Sequence, residues 1–198
     1  MDSIAAPFEI VCAPYTVYVA PVGTAFPAVD LATPATPWKL SGTSGSKNYT
    51  DAGVTVTHGQ TISEFTPAGS TTPRKTWRTA ETLLIAYTLA DVSPDQYATV
   101  LNDAAVTTVA PATGTAGDKH FELMRGVQVN THALLVRGIS SVDDSLNAQY
   151  EVPCAYESGN PAPTYSKANP AELAVEWHAL ELTPGVFGTL RVQTAAHT

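Results

Sequence analysis

Charge is what this chain has least of. Among its 198 residues 14% are Asp, Glu, Lys or Arg, against roughly 25% in an average soluble domain. Basic residues are the scarcer sign: 10 Lys and Arg stand against 18 Asp and Glu, a formal net charge of −8. A protein that grips nucleic acid through its phosphates needs a basic stripe, so the balance argues against that class. The deficit is uneven. Residues 1–80 hold five basic and five acidic side chains, while residues 81–198 hold five and thirteen and so carry the whole excess.

Cysteine is nearly absent. Cys12 and Cys154 lie far apart without a C-x-x-C metal spacing. One disulfide stays open, but scattered, apolar-flanked cysteines read rather as reduced core residues. No apolar run approaches the roughly 20 residues of a membrane span. The start, Met1-Asp2 with Pro7, Glu9 and Pro14, lacks the basic and then apolar regions of a secretory signal. The expectation is a chain made and assembled in a cytoplasm, with no membrane partner. There is no glycine period, no sustained heptad and no internal repeat, which excludes collagen and coiled coil.

Apolar material is plentiful, at 44%, and the length suits a single domain over 1–198. Its pattern is β. Tyr15–Ala20 is a β-branched and aromatic run closed by Pro21 and Gly23. Residues 26–37, with three prolines, read as an extended connector. Trp38–Leu40 is a short strand before the Gly/Ser segment 41–46, and Val54–His58 alternates again. After a loose stretch from Thr66 to Pro73, Thr76–Leu89 is too long for an ordinary strand of about 5–6 residues. From Leu83 onward it sets large apolar residues against small ones with period two. Its polar first half is expected to project beyond the core as an arm, within a loop and arm region spanning 41–80.

One helix is expected. Ser93 is an N-cap, Pro94 suits the first helical position, and Gln96 completes a capping box. Tyr97, Val100, Leu101 and Ala104 form its apolar stripe. Further strands are expected near 119–125, 131–137, 147–156 and 172–182, with an extended tail over 183–198. The count is seven or eight strands and one short amphipathic helix, hence a mainly β sandwich or barrel.

Alternation also assigns faces. In 172–182, Leu173, Val175, Trp177 and Ala179 are dry, and Glu172, Glu176 and His178 lie opposite. In 147–156 the even residues, from Ala148 to Tyr156, are expected to be buried and Asn147, Gln149 and Glu151 wet. Each sheet would then have one polar face without a basic residue.

Reactive chemistry is poorly supported. The five histidines have no ligand spacing. Ser41–Ser46 misses G-x-S-x-G, and Gly114–Lys119 misses the phosphate-loop spacing. Asp143-Asp144 reads as a hairpin turn. No enzyme, cofactor or metal is expected. Arg74, Lys75 and Arg78 cluster around Trp77 and, with Lys47 and Asp51, are the candidate arm contacts to an acidic neighbouring subunit.

Several segments in order carry a resemblance. Val17-Tyr18-Val19-Ala20-Pro21-Val22-Gly23-Thr24-Ala25-Phe26-Pro27 is followed by Trp38-Lys39-Leu40-Ser41-Gly42 and Asp51-Ala52-Gly53-Val54-Thr55-Val56. Then come Arg74-Lys75-Thr76-Trp77-Arg78-Thr79-Ala80-Glu81, the strand ending Leu89-Ala90-Asp91, and the capped helix at Ser93. Over residues 14–104 this order resembles the major tail tube proteins of long-tailed bacteriophages. The resemblance implies a tail-tube fold with an N-terminal arm (1–13) and a virion location. It implies a homo-oligomeric ring, commonly six-fold, stacked into a hollow tube that conducts DNA. Tape-measure and tail-tip or terminator proteins are the implied partners. The loop between the Gly53 and Trp77 strands would reach an adjacent ring.

Such a bore must let DNA slide without holding it. Lumen-facing lysine or arginine would displace counterions from phosphate and bind, whereas an acidic or neutral lining repels softly within about 8 Å. Glu172, Glu176 and His178, with Asn147, Gln149 and Glu151, are therefore the candidate lining. Two other readings stand beside this one. The first is the tube of a contractile tail or secretion system. The second is a solitary carbohydrate-binding sandwich displaying Tyr49, Trp77 and Tyr165.

Overall fold

The computed structural model describes residues 11–31 and 33–195. It is mainly β, with one helix. The strands are β1 (Thr16–Pro21), β2 (Lys39–Leu40), β3 (Tyr49–Phe65), β4 (Lys75–Leu89), β5 (Thr107–Val109) and β6 (Asp118–His120). Beyond them lie β7 (His132–Ile139), β8 (Asn147–Glu157), β9 (Leu173–Ala179) and β10 (Thr189–Val192), and α1 spans Pro94–Val100. The first ten residues of the expected N-terminal arm, and residues 196–198, lie outside the described part.

All large strands pair antiparallel in one sheet of order β2-β1-β7-β8-β9-β4-β3, with β10 also on β8. The β8 strand lets this sheet become two layers. It pairs with β7 over Asn147–Ala155, with β10 over Ala148–Glu151, and with β9 only over Ala155–Glu157. The sheet therefore turns at the far end of β8, and β9-β4-β3 faces β1-β7-β8 across a sandwich-like core. Val17, Leu134, Val136 and Val152 meet Leu83, Ile85, Tyr87, Leu89, Leu173, Val175 and Trp177 there. The expected dry faces of β4 and β9 are this core.

Helix α1 starts as expected. Ser93 Oγ accepts the Gln96 N–H at 3.4 Å with Pro94 at the first position. The capping box does not close: the Gln96 side chain accepts the Gly42 N–H at 2.9 Å and ties the helix to the segment after β2. The helix buries Ala98 and Val100 and ends in two left-handed residues, Asn102 (φ 66°) and Asp103 (φ 57°). Asp143 makes the expected β7–β8 turn, accepting the Ser145 N–H at 2.7 Å.

Other expectations are corrected. Of 119–125 only the start is strand, and it pairs with β5 in a separate two-stranded sheet, β6 covering Asp118–His120. The expected C-terminal tail contains β10, an edge strand of the main sheet. Cys154 is buried as expected, Cys12 is exposed, and both are free thiols.

The largest correction concerns β8. Gln149 and Glu151 are 0% and 5% exposed, and Asn147 is half-buried, so this face is not wet. Residues 22–31 and 33–38, which include most of the expected connector 26–37, form a strap lying over it. Phe26 and Trp38 pack on Ala20, Ala133 and Leu135 at one end. At the other end side chains capture the strap's carbonyls. Gln149 Nε2 donates to Pro27 O (2.9 Å), Asn147 Nδ2 to Val29 O (3.0 Å), and Arg137 to Ala28 O and Leu31 O. Arg137 Nε also donates to Gln149 Oε1 at 3.0 Å, and Arg191 pairs with Glu151 at 2.8 Å. Alternation sorts residues onto two faces but cannot say what covers either one.

Candidate assembly surfaces

The β3–β4 hairpin outruns the core. In β4 every residue from Lys75 to Glu81 is exposed, and burial begins to alternate only from Thr82. The partner β3 follows in register out to Phe65–Lys75. The seven residues from Gly59 to Phe65 make a projection of roughly 23 Å at about 3.3 Å per residue. The expected arm is thus a regular hairpin rather than a loop, with only residues 66–74 turning at its tip.

Its faces differ from simple alternation. Thr61 pairs with Ala80 but Ile62 with Arg78, so Thr79 is an extra residue in β4 and forms a bulge. The bulge reverses the β4 alternation beyond it. Arg78 turns to the core-side face, where it donates to Gln60 Oε1 (3.0 Å) and pairs with Glu81 (3.4 Å). Trp77 turns to the outer face, opposite Ser63 and diagonal to Phe65. Trp77, Phe65 and Ile62 remain 46%, 54% and 52% exposed. Phe65 and Ile62 went unnoticed in the sequence, although alternation past His58 was the available signal.

The outer face of β9-β4-β3 continues from this hairpin. Its rows are Thr55–Ala86–Glu176 and Thr57–Leu84–His178, with Thr88 beside Ala174. Besides Leu84 and His178, these rows hold small, hydroxylated or acidic side chains, with no lysine or arginine. Glu176 and His178 are half-buried within it. Ser158 Oγ donates to Glu176 Oε1 at 2.9 Å, and His178 Nδ1 lies 3.0 Å from the Tyr156 hydroxyl. Glu172 is exposed just before β9 begins.

The expected lining residues therefore divide. Glu172, Glu176 and His178 belong to the uncovered outer layer, whereas Asn147, Gln149 and Glu151 lie beneath the strap on the other layer. The expected arm residues divide too. Arg74, Lys75, Trp77 and Arg78 are at the tip half of the hairpin. Lys47 sits in a 3-10 turn (Gly45–Asn48), and Asp51 lies at the opposite, core end of β3.

Tyr49 does not join an aromatic platform. Its ring packs 4.9 Å from Tyr87, and its hydroxyl accepts the Val17 N–H (3.1 Å) and donates to Ser41 O (2.9 Å). Burial pushes this hydroxyl far above the usual tyrosine range. Tyr87 is held up at about 12 by burial, against hydrogen bonds from Ser41 and Trp177 that act the other way.

A cleft of about 620 Å³ opens between β1, β2 and α1, lined among others by Val19, Leu40, Ala98 and Val106. Asp95 and Asp103 at its rim are already paired, with Lys119 and His132, each at 2.7 Å. Among the described residues no three His, Cys, Asp or Glu side chains gather as a metal site. No helix there is long and apolar enough to cross a membrane. In comparisons with known proteins, no family model and no curated protein matches the chain.

Proposed function

We propose that this chain is the structural subunit of a phage tail tube: copies join in rings, rings stack, and the tube conducts DNA without binding it. The observation that carries the reading is the β3–β4 hairpin, a long projection with exposed aromatic side chains and no core of its own. A two-stranded hairpin alone is marginal in water. Covering Trp77 and Phe65 on the outer face, and Ile62 on the other, with neighbouring copies removes apolar surface from water at about 25 cal/mol per Å². The hairpin tip supplies Arg74, Lys75 and Arg78 to a chain that is otherwise strongly acidic, so attraction to another copy guides the contact.

The outer face of β9-β4-β3 suits the bore. Over the core part of these strands threonine, alanine, Leu84, His178 and Glu176 line it without lysine or arginine, so sliding phosphate meets no counterion-releasing partner there. In this reading the role is structural rather than catalytic. Tape-measure and terminator proteins are the further partners, and the virion tail is the location. A contractile-tail or secretion tube uses the same surfaces and is the nearest alternative. The carbohydrate platform is disfavoured by the withdrawal of Tyr49 into hydrogen bonds with β1 and Ser41.

Sedimentation and negative-stain microscopy of the purified chain test the proposal. Rings or hollow tubes are expected, and a monomer persisting at high concentration rejects it. A second expected outcome concerns the bore. Lysine at both Glu172 and Glu176 leaves tubes intact but slows DNA release from particles carrying the variant. Unaltered release would show that this face does not meet DNA.

A further inference from the structure

Residues 121–131 contain no helix or strand, yet they display an unusual run of apolar side chains. Leu123, Met124, Val127 and Val129 are 75%, 64%, 96% and 63% exposed. Two anchors hold this segment. At the end of α1, Asn102 Nδ2 donates to Arg125 O and Gln128 O, each at 2.7 Å, and Asn102 Oδ1 accepts the Asn130 N–H at 2.7 Å. On the other side Arg125 reaches the end of β8. Its Nη2 donates to Gly159 O at 2.8 Å, and its Nη1 stands 3.3 Å from Glu157 Oε2.

Glu157 is an unusual partner. Its side chain is 5% exposed, and its β9 neighbour in register is Trp177. Oε1 accepts the Gly159 N–H at 3.0 Å, but Oε2 is buried without a hydrogen bond. The guanidinium neutralises that oxygen without the geometry to satisfy it. A buried, under-bonded carboxylate is costly when charged and much less so when neutral.

We propose that residues 121–131 form a strap closed by a clasp, the Arg125 guanidinium on the buried Glu157 carboxylate, and that protonating this carboxylate opens the clasp while the sandwich stays folded. The charged and titratable groups around Glu157 are Arg125 from the strap, Glu176 from β9 and the Tyr87 hydroxyl from β4. The pair His132–Asp103 lies near the other anchor. Burial pushes Glu157 up to about 6, while Arg125 and the backbone of Gly159 and Glu176 pull the other way and the Glu176 charge adds a smaller rise. The clasp is therefore charged at neutral pH and loses its anion as pH falls through about 6.

The fold itself is not weakened by that step. A carboxyl raised above its unfolded value binds its proton more tightly in the folded chain, so its contribution to stability grows as pH falls from about 6 toward the ordinary carboxyl range. Neutral Glu157 keeps its bond from the Gly159 N–H, and Arg125, already 38% exposed, exchanges the anion for water and is left with only its Nη2 bond to Gly159 O. The device does not depend on the tube reading.

Hydrogen exchange of the full chain, followed by mass spectrometry and corrected for intrinsic rates, tests it. Protection of 121–131 is expected to fall on the order of tenfold between pH 7.5 and pH 5.5, as most of the Glu157 carboxylate charge is lost, with the core strands unaffected. Glu157→Gln should show the open behaviour at both pH values. At pH 7.5 it should be cut by trypsin after Arg125 about tenfold faster than the wild type, with no drop in thermal midpoint. Equal protection at both pH values in the wild type overturns the proposal. So does a variant that opens only with a lowered midpoint, because exposure of Arg125 then follows global unfolding.

Discussion

A chain in which Asn-Gly replaces residues 61–80 is expected to keep its fold and lose assembly altogether. Gln60 and Glu81 are direct partners in the ladder, so a two-residue turn joins them in register. None of the removed residues is buried, and the unfolding free energy should stay within about 1 kcal/mol of the parent. Rings and tubes, by contrast, should disappear at every protein concentration tested by sedimentation. A milder pair of changes separates the two contributions of the tip. Trp77→Ala should raise the concentration needed for assembly at all salt levels, because it removes apolar contact. Reversing Arg74 and Lys75 to glutamate should do so most strongly at low salt, because exposed charges are screened within about 10 Å at 0.1 M. Normal tubes from the shortened chain would mean that the hairpin is not an assembly element.

Arg137→Met carries the largest expected effect on stability, a loss of about 3–5 kcal/mol. Arg137 is 6% exposed and burial opposes its charge. An arginine stays cationic in a protein, and here it donates to Gln149, Ala28 O and Leu31 O. Methionine fills much of the volume but strands those acceptors, and it leaves Glu151 with Arg191 as its one cationic partner. Urea unfolding should show a lower midpoint with little change in slope, and segment 22–38 should become protease-sensitive first. A loss below about 1 kcal/mol would mean that Phe26 and Trp38, with the Gln149 and Asn147 bonds, hold the strap without Arg137.

Much of the framework was legible because it is written in local chemistry. The period-two pattern of Leu83–Leu89 and of Leu173–Ala179 names a dry face wherever those strands are placed. Ser93-Pro94 starts a helix through the N–H groups of its own first turn, and Asp143 closes a turn on Ser145 two residues away. The projecting half of β4 could be read from its polar residues. What failed was coverage. Gln149 and Glu151 alternate like surface residues, and only a strap from more than a hundred residues earlier makes their face an interior. Unbroken alternation from Leu83 would put Trp77 on the core-side face of the arm, and only the extra residue at Thr79, set by pairing with β3, turns it over.

By itself, then, the sequence determined the class of fold, the dry faces of the strands, the helix start and the acidic, cation-poor character of the surface. These follow from backbone pleat, capping and composition, each decided within a few residues. Tertiary structure alone decided which polar residues share an uncovered face, where the strap lies, how the hairpin is turned, and that Arg125 meets Glu157. Those facts depend on register and on contacts between distant segments, for which a strand's own pattern holds no information.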